Sequence, residues 1–214
     1  MDPEPPTSAP TGRAARQRQA IVHAAREVFL RHGYVGATMD EVAAGASVSK
    51  QTLYKQFKDK QNLFAEVILE TILTDLFERL SAAADALESA ADVRQGLRQL
   101  ADGYLQGLLQ PEVIRLRRLV IGEADRFPDV GRAWFDQGFE RTLVLLGESL
   151  QRLADRGELR RLADPTMAAY HFAGLVMYQP MNQALFTGTE PRRTKPELRR
   201  IADAAVDVFL AAYG

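Results

Sequence analysis

The segment 38–60 constrains the fold of this chain more than any other part of its sequence. Its residues, TMDEVAAGASVSKQTLYKQFKDK, carry the signals of two short helices separated by a tight turn. Thr38 and Glu41 have the spacing of a capping box, in which the side chain of each residue bonds to the backbone amide of the other at a helix N-terminus. The first of the two helices is therefore predicted to run from Thr38 to about Ala44.

The turn and the second helix have signals of their own. Gly45 is predicted to adopt a left-handed conformation in the turn, because glycine takes this conformation without a steric penalty. Ser49 is predicted to cap the second helix, with Ser47 as an alternative cap, and the helix ends near Phe57. Leu53 and Phe57 lie four residues apart, so both are predicted to face the core and to anchor the helix.

The composition of the chain allows a sizeable core and excludes several classes of protein. The 214 residues are 46% hydrophobic and include no cysteine, which excludes disulfides, thiolate catalysis and Cys-type zinc sites. No stretch approaches the ~20 apolar residues that span a bilayer. Residues 1–12 are Pro-rich and lack the apolar region of a signal peptide, so they are expected to form a disordered tail. We therefore expect a soluble, cytoplasmic protein with no membrane partner.

Basic residues are concentrated near the N-terminus. Residues 13–60 hold nine Lys and Arg against four Asp and Glu, a net charge of +5. Residues 61–214 hold 18 basic and 22 acidic residues, a net charge of −4. A small basic module joined to an acidic body suits a protein that meets a polyanion. The alternative is a chance clustering of charges on solvated helix faces.

Helical signals continue along the rest of the chain, and no stretch shows convincing strand alternation, so the predicted fold is all-α with about nine helices. The first helix is predicted at 13–32, where Gly33 suits the position after its end. Asp59 is predicted to cap a fourth helix. Pro180 is predicted to kink or end the helix that contains it. Further helices are predicted at 92–109, 111–127, 128–156, 164–186 and 197–212, with a polar loop at 187–196.

Short polar and cationic side chains crowd the second helix of the segment 38–60. Gln51 can pair with the edge of an adenine, and Thr52 can contact a thymine methyl group or a phosphate. Lys50 and Lys55 can reach guanine O6 and N7 or phosphates. The alternative is an ordinary surface helix with solvated side chains. The capping box, the Gly turn, the apolar anchors and the basic charge together favour a helix-turn-helix that contacts DNA.

Two residues at the ends of the segment are candidates for phosphate contacts. Thr38 lies at a helix N-terminus, where backbone amides can hold a phosphate. Lys60 lies in the first turn of the fourth helix, where a cation is poorly placed for the helix dipole. A phosphate partner is our explanation for this unfavourable position of Lys60.

Residues 18–63 resemble the N-terminal domain of TetR-family transcriptional regulators. The resemblance rests on QAIVHAAREVFLRHGYVGATMDEVAAGASVSKQTLYKQFKDKQNLF, with Gln56 where the family often has His and Val42 where it often has Ile. It implies phosphate contacts at Thr38, Tyr54 and Lys60. It implies base or mixed contacts at Ser49, Lys50, Gln51, Thr52 and Lys55.

The C-terminal part resembles the AefR-like subgroup of the same family in RLRRLVIGEADRFPDVGRAWFDQG and LADRGELRRLADPTMAAYHFAGLV. With the Pro-rich tail at 1–12, the chain is expected to have three parts. The resemblance implies that the other two are a helix-turn-helix domain at 13–58 and a ligand-binding and dimerisation domain at 59–214. It implies a homodimer through the helices at 164–186 and 197–212. The proposed interface residues are Ala168, Phe172, Leu175, Val176, Ile201, Ala205, Val208 and Phe209. Alternatively, these residues close the core of each subunit.

Aromatic and polar residues of several predicted central helices are candidates for a ligand pocket, because such pockets are mostly apolar with a few placed polar groups. Arg117 is the candidate for meeting an acidic ligand. The alternative for each aromatic residue is an ordinary core position. The candidates are Tyr104, Arg117, Trp134, Phe135, Phe139, His171, Met177 and Tyr178.

Enzyme hypotheses find little support. His23, His32 and His171 lie far apart, without metal-ligand spacing, and no nucleophile elbow, Walker loop or dinucleotide fingerprint is present. No cofactor is expected. The favoured hypothesis is a dimeric repressor that binds palindromic operator DNA and is released by a small hydrophobic or aromatic effector. The alternative is a helical small-molecule binding protein that no longer reads DNA; the intact Tyr54, Lys60 and polar helix face favour the first.

Overall fold

The fold of the described chain is entirely helical in its regular structure. A computed structural model describes residues 12–70, 77–90, 92–187 and 194–214. Counted as continuous runs, these residues form ten helices, which confirms the predicted all-α fold of about nine. The predicted tail at 1–12 lies outside the described residues except for Gly12, which begins the first helix.

The helices are numbered here in chain order. A π-helical segment, Trp134–Glu140, joins α8 to α9 in one continuous run. The α-helices are α1 Gly12–Gly36, α2 Met39–Gly45, α3 Lys50–Phe57, α4 Lys60–Glu70, α5 Phe77–Glu88, α6 Val93–Leu108, α7 Pro111–Glu123, α8 Pro128–Ala133, α9 Arg141–Asp155, α10 Pro165–Phe186 and α11 Lys195–Tyr213.

The chain divides into two compact units, Met1–Ile68 and Leu69–Gly214, called here the N-terminal and C-terminal units. The division falls inside α4, whereas the boundary predicted from the sequence, between residues 58 and 59, precedes this helix. Phe64 of α4 is fully buried, with its ring centre 5.2 Å from that of Phe29 on α1. Most of α4 therefore belongs to the core of the N-terminal unit.

Local capping signals set the ends of the short helices. Thr38 caps α2: its hydroxyl accepts from the Glu41 amide at 3.2 Å, and the Glu41 carboxylate accepts from the Thr38 amide at 3.1 Å. Ser49 caps α3, and Asp59 accepts from the Asn62 amide at the start of α4. At the end of α1, Gly33 has a φ of 67° and breaks the helical conformation. These predicted caps and the predicted stop at Gly33 are confirmed.

The predicted left-handed conformation of Gly45 is wrong. The left-handed residue between α2 and α3 is Ser47, with a φ of 54°. Gly45 ends α2, and a Cβ atom there would make a van der Waals contact of 3.4 Å with the Cβ of Ala24 on α1. α2 therefore passes close to α1 at this residue.

The C-terminal unit is built around α9, which packs against α5 and α10, while α6 packs against α5 and α11. α10 also packs against α11, where Phe172 and Phe209 are both fully buried with ring centres 5.3 Å apart. Their edge-on arrangement is one that aromatic pairs favour.

Two predicted helix boundaries in this unit need correction, and one of the two alternatives at Pro180 is excluded. α7 ends at Glu123 rather than near Phe127. Residues 124–126 form a turn, and Phe127 is non-helical because it precedes Pro128. Pro180 does not end its helix: α10 continues to Phe186, with Pro180 itself buried. α11 begins at Lys195, because Thr194 and Glu197 form a second capping box.

Candidate DNA-binding face and ligand cavity

The third helix is held against the N-terminal unit by its apolar side. Leu53 is fully buried and Phe57 is 3% exposed. The guanidinium of Arg18, on α1, lies 4.6 Å from the ring centre of Phe57 and pairs with Glu66 at 2.7 Å. These contacts fix the rotation of α3 about its axis, so its polar side chains point away from the core.

The exposed side of this helix carries most of the predicted DNA contacts. We call it the α3 face; it comprises Ser49, Lys50, Gln51, Tyr54 and Lys55, all of which are exposed. Thr52 is half-buried beside it, and its amide donates to the Ser49 hydroxyl at 3.1 Å. Thr38 is also exposed, at the N-terminus of α2. The structure therefore leaves these side chains accessible to a partner.

The polar side chains of the α3 face differ in whether they already have a partner within the protein. Lys50 pairs with Asp40 of α2 at 2.6 Å, but both side chains are 62% exposed, and such surface pairs contribute little free energy. Within the described residues, the side chains of Gln51 and Lys55 make no hydrogen bond. A nucleic acid can therefore engage Gln51 and Lys55 at once, and can displace Asp40 from Lys50 at low cost.

Lys60 has a partner that the sequence did not reveal. Its ammonium donates to the backbone carbonyls of Tyr34 at 2.8 Å and Ala37 at 2.9 Å, with Val35 at 3.3 Å, and it lies 4.6 Å from the Tyr34 ring centre. These carbonyls follow the break in α1 at Gly33. The explanation of Lys60 by a phosphate is therefore unnecessary: its three N–H donors bond to the protein itself.

The C-terminal unit contains a cavity of about 270 Å³ between α6, α7, α10 and the π-helical segment. Its lining is mostly apolar. Six of the eight predicted ligand-binding residues line it: Tyr104, Arg117, Trp134, Phe139, Met177 and Tyr178.

Phe135 and His171 lie outside the cavity. His171 is exposed, and its Nδ1 atom lies 2.5 Å from the Tyr213 hydroxyl of α11. It occupies a different side of α10 from Met177, because six residues on a helix do not return to the same face. Phe135 is 48% exposed and contacts the Phe139 ring, at 5.6 Å between centres.

Several lining residues were missed in the sequence. On α10 they recur at intervals of three or four residues about Met177, a spacing that marks one helix face. Others come from the π-helical segment and from the start of α9, where the Thr142 hydroxyl donates to the Gly138 carbonyl at 2.8 Å. The residues on α10 could have been predicted from their helical spacing about Met177. They are Tyr170, Ala173, Gly174, Met181 and Asn182.

The polar groups of the cavity are incompletely satisfied. Tyr104 is 2% exposed, and its hydroxyl has no hydrogen-bond partner in the described structure. Burial raises the pKa of Tyr104 well above its usual range. Arg117 is half-buried, its Nε atom has no partner, and burial lowers the pKa of its guanidinium. The guanidinium lies 5.9 Å from the ring centre of Trp134.

The predicted dimer residues divide into two groups. Five of them are at most 3% exposed and belong to the core of their own subunit: Ala168, Phe172, Val176, Ala205 and Phe209. Leu175 and Val208 are 41% and 54% exposed, and Ile201 is half-buried. Most of the residues that were predicted to form the dimer interface are therefore buried in the core of the subunit itself.

No described helix is long and apolar enough to cross a membrane. In the same part of the chain, no group of three or more His, Cys, Asp or Glu residues is arranged to hold a metal ion.

These features define a helix-turn-helix protein with a separate helical domain that contains a cavity. The sequence profile described as "Bacterial regulatory proteins, tetR family" matches residues 21–67, and "AefR-like transcriptional repressor, C-terminal domain" matches residues 95–214. The chain belongs to the TetR family of DNA-binding transcriptional regulators, with an AefR-like C-terminal domain. Membership of this family also supports the prediction that the chain is not an enzyme.

Similar proteins cover nearly the whole chain. A TetR-family regulator from Mesorhizobium loti MAFF303099 is 43% identical over 95% of this chain and 100% of its own, with a TM-score of 0.90. The flavonoid-responsive regulator FrrA is 26% identical over 94% of this chain and 98% of its own, with a TM-score of 0.72. The transcriptional repressor Rv1474c of Mycobacterium tuberculosis is 26% identical over 84% of this chain and 87% of its own.

Proposed function

We propose that the protein is a dimeric repressor that binds a palindromic operator and is released from it by a small hydrophobic or aromatic effector. The observation that supports this proposal most strongly is the α3 face. Its polar side chains are exposed, while the opposite, apolar side of the helix is buried in the N-terminal unit. Because the operator is DNA of the cell's own genome, we place the protein in the cytoplasm.

The α3 face divides into two kinds of contact in this proposal. Gln51 and Lys55 reach base edges, because their side chains are exposed and make no other hydrogen bond within the described structure. Thr38 and Tyr54 contact phosphates, and Tyr54 is 47% exposed. Ser49, Lys50 and Thr52 supply mixed contacts at the start of α3. Lys60 acts indirectly, by holding the end of α1 beside α2.

Dimerisation follows from the geometry of operators. A single short recognition helix makes too few contacts for tight binding, whereas a two-fold protein reads two half-sites about 34–36 Å apart or a multiple of this distance. The helices at 164–186 and 197–212 provide the interface. An exposed apolar stripe, defined here by Met167, Leu175, Tyr178 and Phe186 of α10 with Val208 of α11, is the surface that a second copy covers.

The cavity of the C-terminal unit is the proposed effector site. Its volume of about 270 Å³ lies just below the ~300–1,000 Å³ that ligand pockets occupy. An aromatic effector suits the rings of Trp134 and Phe139, and the flavonoid-responsive name of FrrA is in line with such a ligand. The effector prefers the conformer whose α3 helices are wrongly spaced for the operator, so it lowers DNA affinity by population shift.

A DNA-selection experiment tests this function. Randomised duplexes selected by the full-length protein are expected to yield a palindrome, and the Gln51→Ala variant is expected to lose preference at particular base pairs in each half-site. Tyr54→Phe is expected to weaken binding to all duplexes and to reduce the salt dependence, because it loses a phosphate contact.

The control is Gln151→Ala, which changes a glutamine on α9 in the other unit. Its selected sequences are expected to match those of the wild type. Failure of the wild-type protein to enrich any sequence would favour the binding protein that no longer reads DNA.

A further inference from the structure

Two polar groups in a mostly apolar cavity lack hydrogen-bond partners among the described residues. The Tyr104 hydroxyl is buried without a hydrogen bond, and Arg117 has neither a hydrogen bond nor a carboxylate partner among the described residues. Arg117 is also the one charged side chain of the described lining. A partly desolvated cation and an unsatisfied hydroxyl both cost folding free energy. Groups held at such a cost are candidates for binding a ligand.

The geometry favours an anion as the missing partner. Arg117 offers a planar set of N–H donors, which matches the two oxygens of a carboxylate. Tyr104 lines the same cavity and offers one further O–H donor to a bound anion. The single positive charge of the described lining balances one negative charge, so a monoanion suits the site better than a dianion does.

The rest of the lining specifies an apolar body. Trp134, Phe139 and Met177 present rings and a thioether, and the lining exposes no acidic side chain among the described residues. A cavity of about 270 Å³ can hold one or two rings. The aromatic rings of the lining favour a cyclic body, because rings stack on or pack edge-on against one another.

We propose that the effector is a small monocarboxylate with a cyclic apolar body, whose carboxylate is bound by Arg117 and the Tyr104 hydroxyl while its rings lie against Trp134 and Phe139. This inference rests on the proposed effector function and adds the chemical class of the ligand. It assigns Arg117 and Tyr104 as the residues that distinguish an acid from a neutral molecule of the same shape.

Matched acids and amides test the proposal. 2-Naphthoate and 3-cyclohexylpropionate are each titrated into the full-length protein by calorimetry, beside 2-naphthamide and 3-cyclohexylpropionamide. The wild type is expected to bind each acid at least about tenfold more tightly than its amide, as for a hydrogen bond to a charged group. Trp134 is the single tryptophan of the chain, so its fluorescence independently reports binding of the cyclohexyl compounds, which do not absorb in the near ultraviolet.

Variants assign the preference to the two residues. Arg117→Met is expected to reduce the preference for acid to within about twofold while retaining amide binding, and Tyr104→Phe is expected to reduce it about threefold or more. Arg117→Lys keeps the charge and is expected to keep part of the preference. Arg115→Met, on an exposed position of the same helix, is expected to leave it unchanged. Arg117→Met is also expected to raise the melting temperature of the ligand-free protein, because it removes a buried charge.

Release of DNA is measured separately with the same compounds. Equal binding of acid and amide, binding of no acid in the panel, or an unchanged preference in Arg117→Met would each overturn the carboxylate proposal. If amides bind as well as acids and both release the operator, the effector function stands and the ligand class is wrong. If acids bind with the expected preference but leave the operator bound, the ligand class stands and the effector function is wrong.

Discussion

At the scale of single residues, the contacts of Lys60 and Lys55 separate stability from DNA binding. Lys60→Met removes the hydrogen bonds to the carbonyls of Tyr34 and Ala37. It is expected to destabilise the N-terminal unit by about 1.5–3 kcal/mol, as for hydrogen bonds to a charged group. Lys55→Met is expected to leave stability within about 0.5 kcal/mol and to weaken operator binding. Urea denaturation and DNA titration of both variants measure the two effects.

A Lys60→Met variant as stable as the wild type would contradict this role. Weaker DNA binding by such a variant would return Lys60 to the set of direct phosphate contacts. The comparison is informative because both variants lose one lysine from the same basic unit.

Glu88 links α5 to α9 and makes part of the stability depend on pH. Its carboxylate accepts from Arg152 Nε and from the Ser149 hydroxyl, each at 2.7 Å, and the Arg152 bond lowers the pKa of Glu88 below its usual value. The unfolded chain then takes up the proton at higher pH. The stabilisation is therefore present above about pH 4.5 and is lost as the pH falls through the lower folded pKa.

Glu88→Gln is expected to lower the free energy of unfolding at pH 7 by about 1–2 kcal/mol. At pH 3 the difference from the wild type is expected to shrink, because the wild-type carboxylate is then increasingly protonated. Urea denaturation at the two pH values measures both quantities. Glu148→Gln, on an exposed position of α9, is the control, and a difference that is constant with pH would contradict the role of Glu88.

The role of a residue could be predicted when its partner lies only a few residues away in the sequence. Thr38 and Ser49 cap through atoms three residues away, so the local pattern sufficed. Lys60 bonds to carbonyls more than twenty residues earlier, and His171 contacts Tyr213 of another helix. Such partners depend on tertiary packing, which a single-sequence pattern does not contain.

At the scale of elements, the approach of α10 to α9 depends on a glycine. A Cβ atom at Gly147 would lie 3.0 Å from backbone atoms of Pro165 and Thr166, which cannot move without shifting α10. Gly147→Ala is therefore expected to destabilise the C-terminal unit by about 1–3 kcal/mol. The change in urea midpoint measures this effect.

Gly122→Ala supplies the matched control. Gly122 lies in α7 with no atom within 4 Å of the added Cβ. The same substitution there is expected to stabilise the helix by about 0.5–1 kcal/mol, because alanine favours helix more than glycine does. Equal effects at the two positions would show that helix propensity, and not the close approach of α10, determines the role of Gly147.

The positions of the helices could be predicted from the sequence, but the π-helical segment within one of them could not. Asp92 and Asp164 cap α6 and α10 as their sequence patterns indicate. The π-helical segment Trp134–Glu140 has no comparable sequence signal, since it inserts extra residues into a helical run whose apolar pattern continues. It nevertheless places Trp134 and Phe139 in the cavity. Part of the candidate site therefore depends on a feature that periodicity does not report.

At the scale of the whole molecule, the cavity and the proposed dimer surface share a residue. Tyr178 lines the cavity and is 75% exposed on the apolar stripe. Covering the stripe with a second copy would therefore also close one side of the cavity. By linkage, an effector that binds the closed cavity more tightly strengthens dimerisation by the same factor.

Charge placed in the apolar stripe tests this arrangement. Leu175→Glu and Val208→Glu each introduce a carboxylate at an exposed position, so the subunit is expected to fold. In the dimer, the charge would lose water without a partner, and its two-fold copy would add repulsion. The dissociation constant is expected to rise at least about tenfold. Sedimentation is then expected to show the 23.8 kDa subunit at concentrations where the wild type has about twice this mass.

The same variants connect assembly with both ligands. Each is expected to bind the full operator more weakly, because a monomer reaches one half-site at a time, and to bind 2-naphthoate more weakly, because the cavity stays open at Tyr178. Ile121→Glu is the control, since Ile121 is 59% exposed on α7, outside the stripe. Stripe variants that remain dimeric would exclude this surface as the interface. Monomeric variants with unchanged 2-naphthoate affinity would separate the cavity from the dimer.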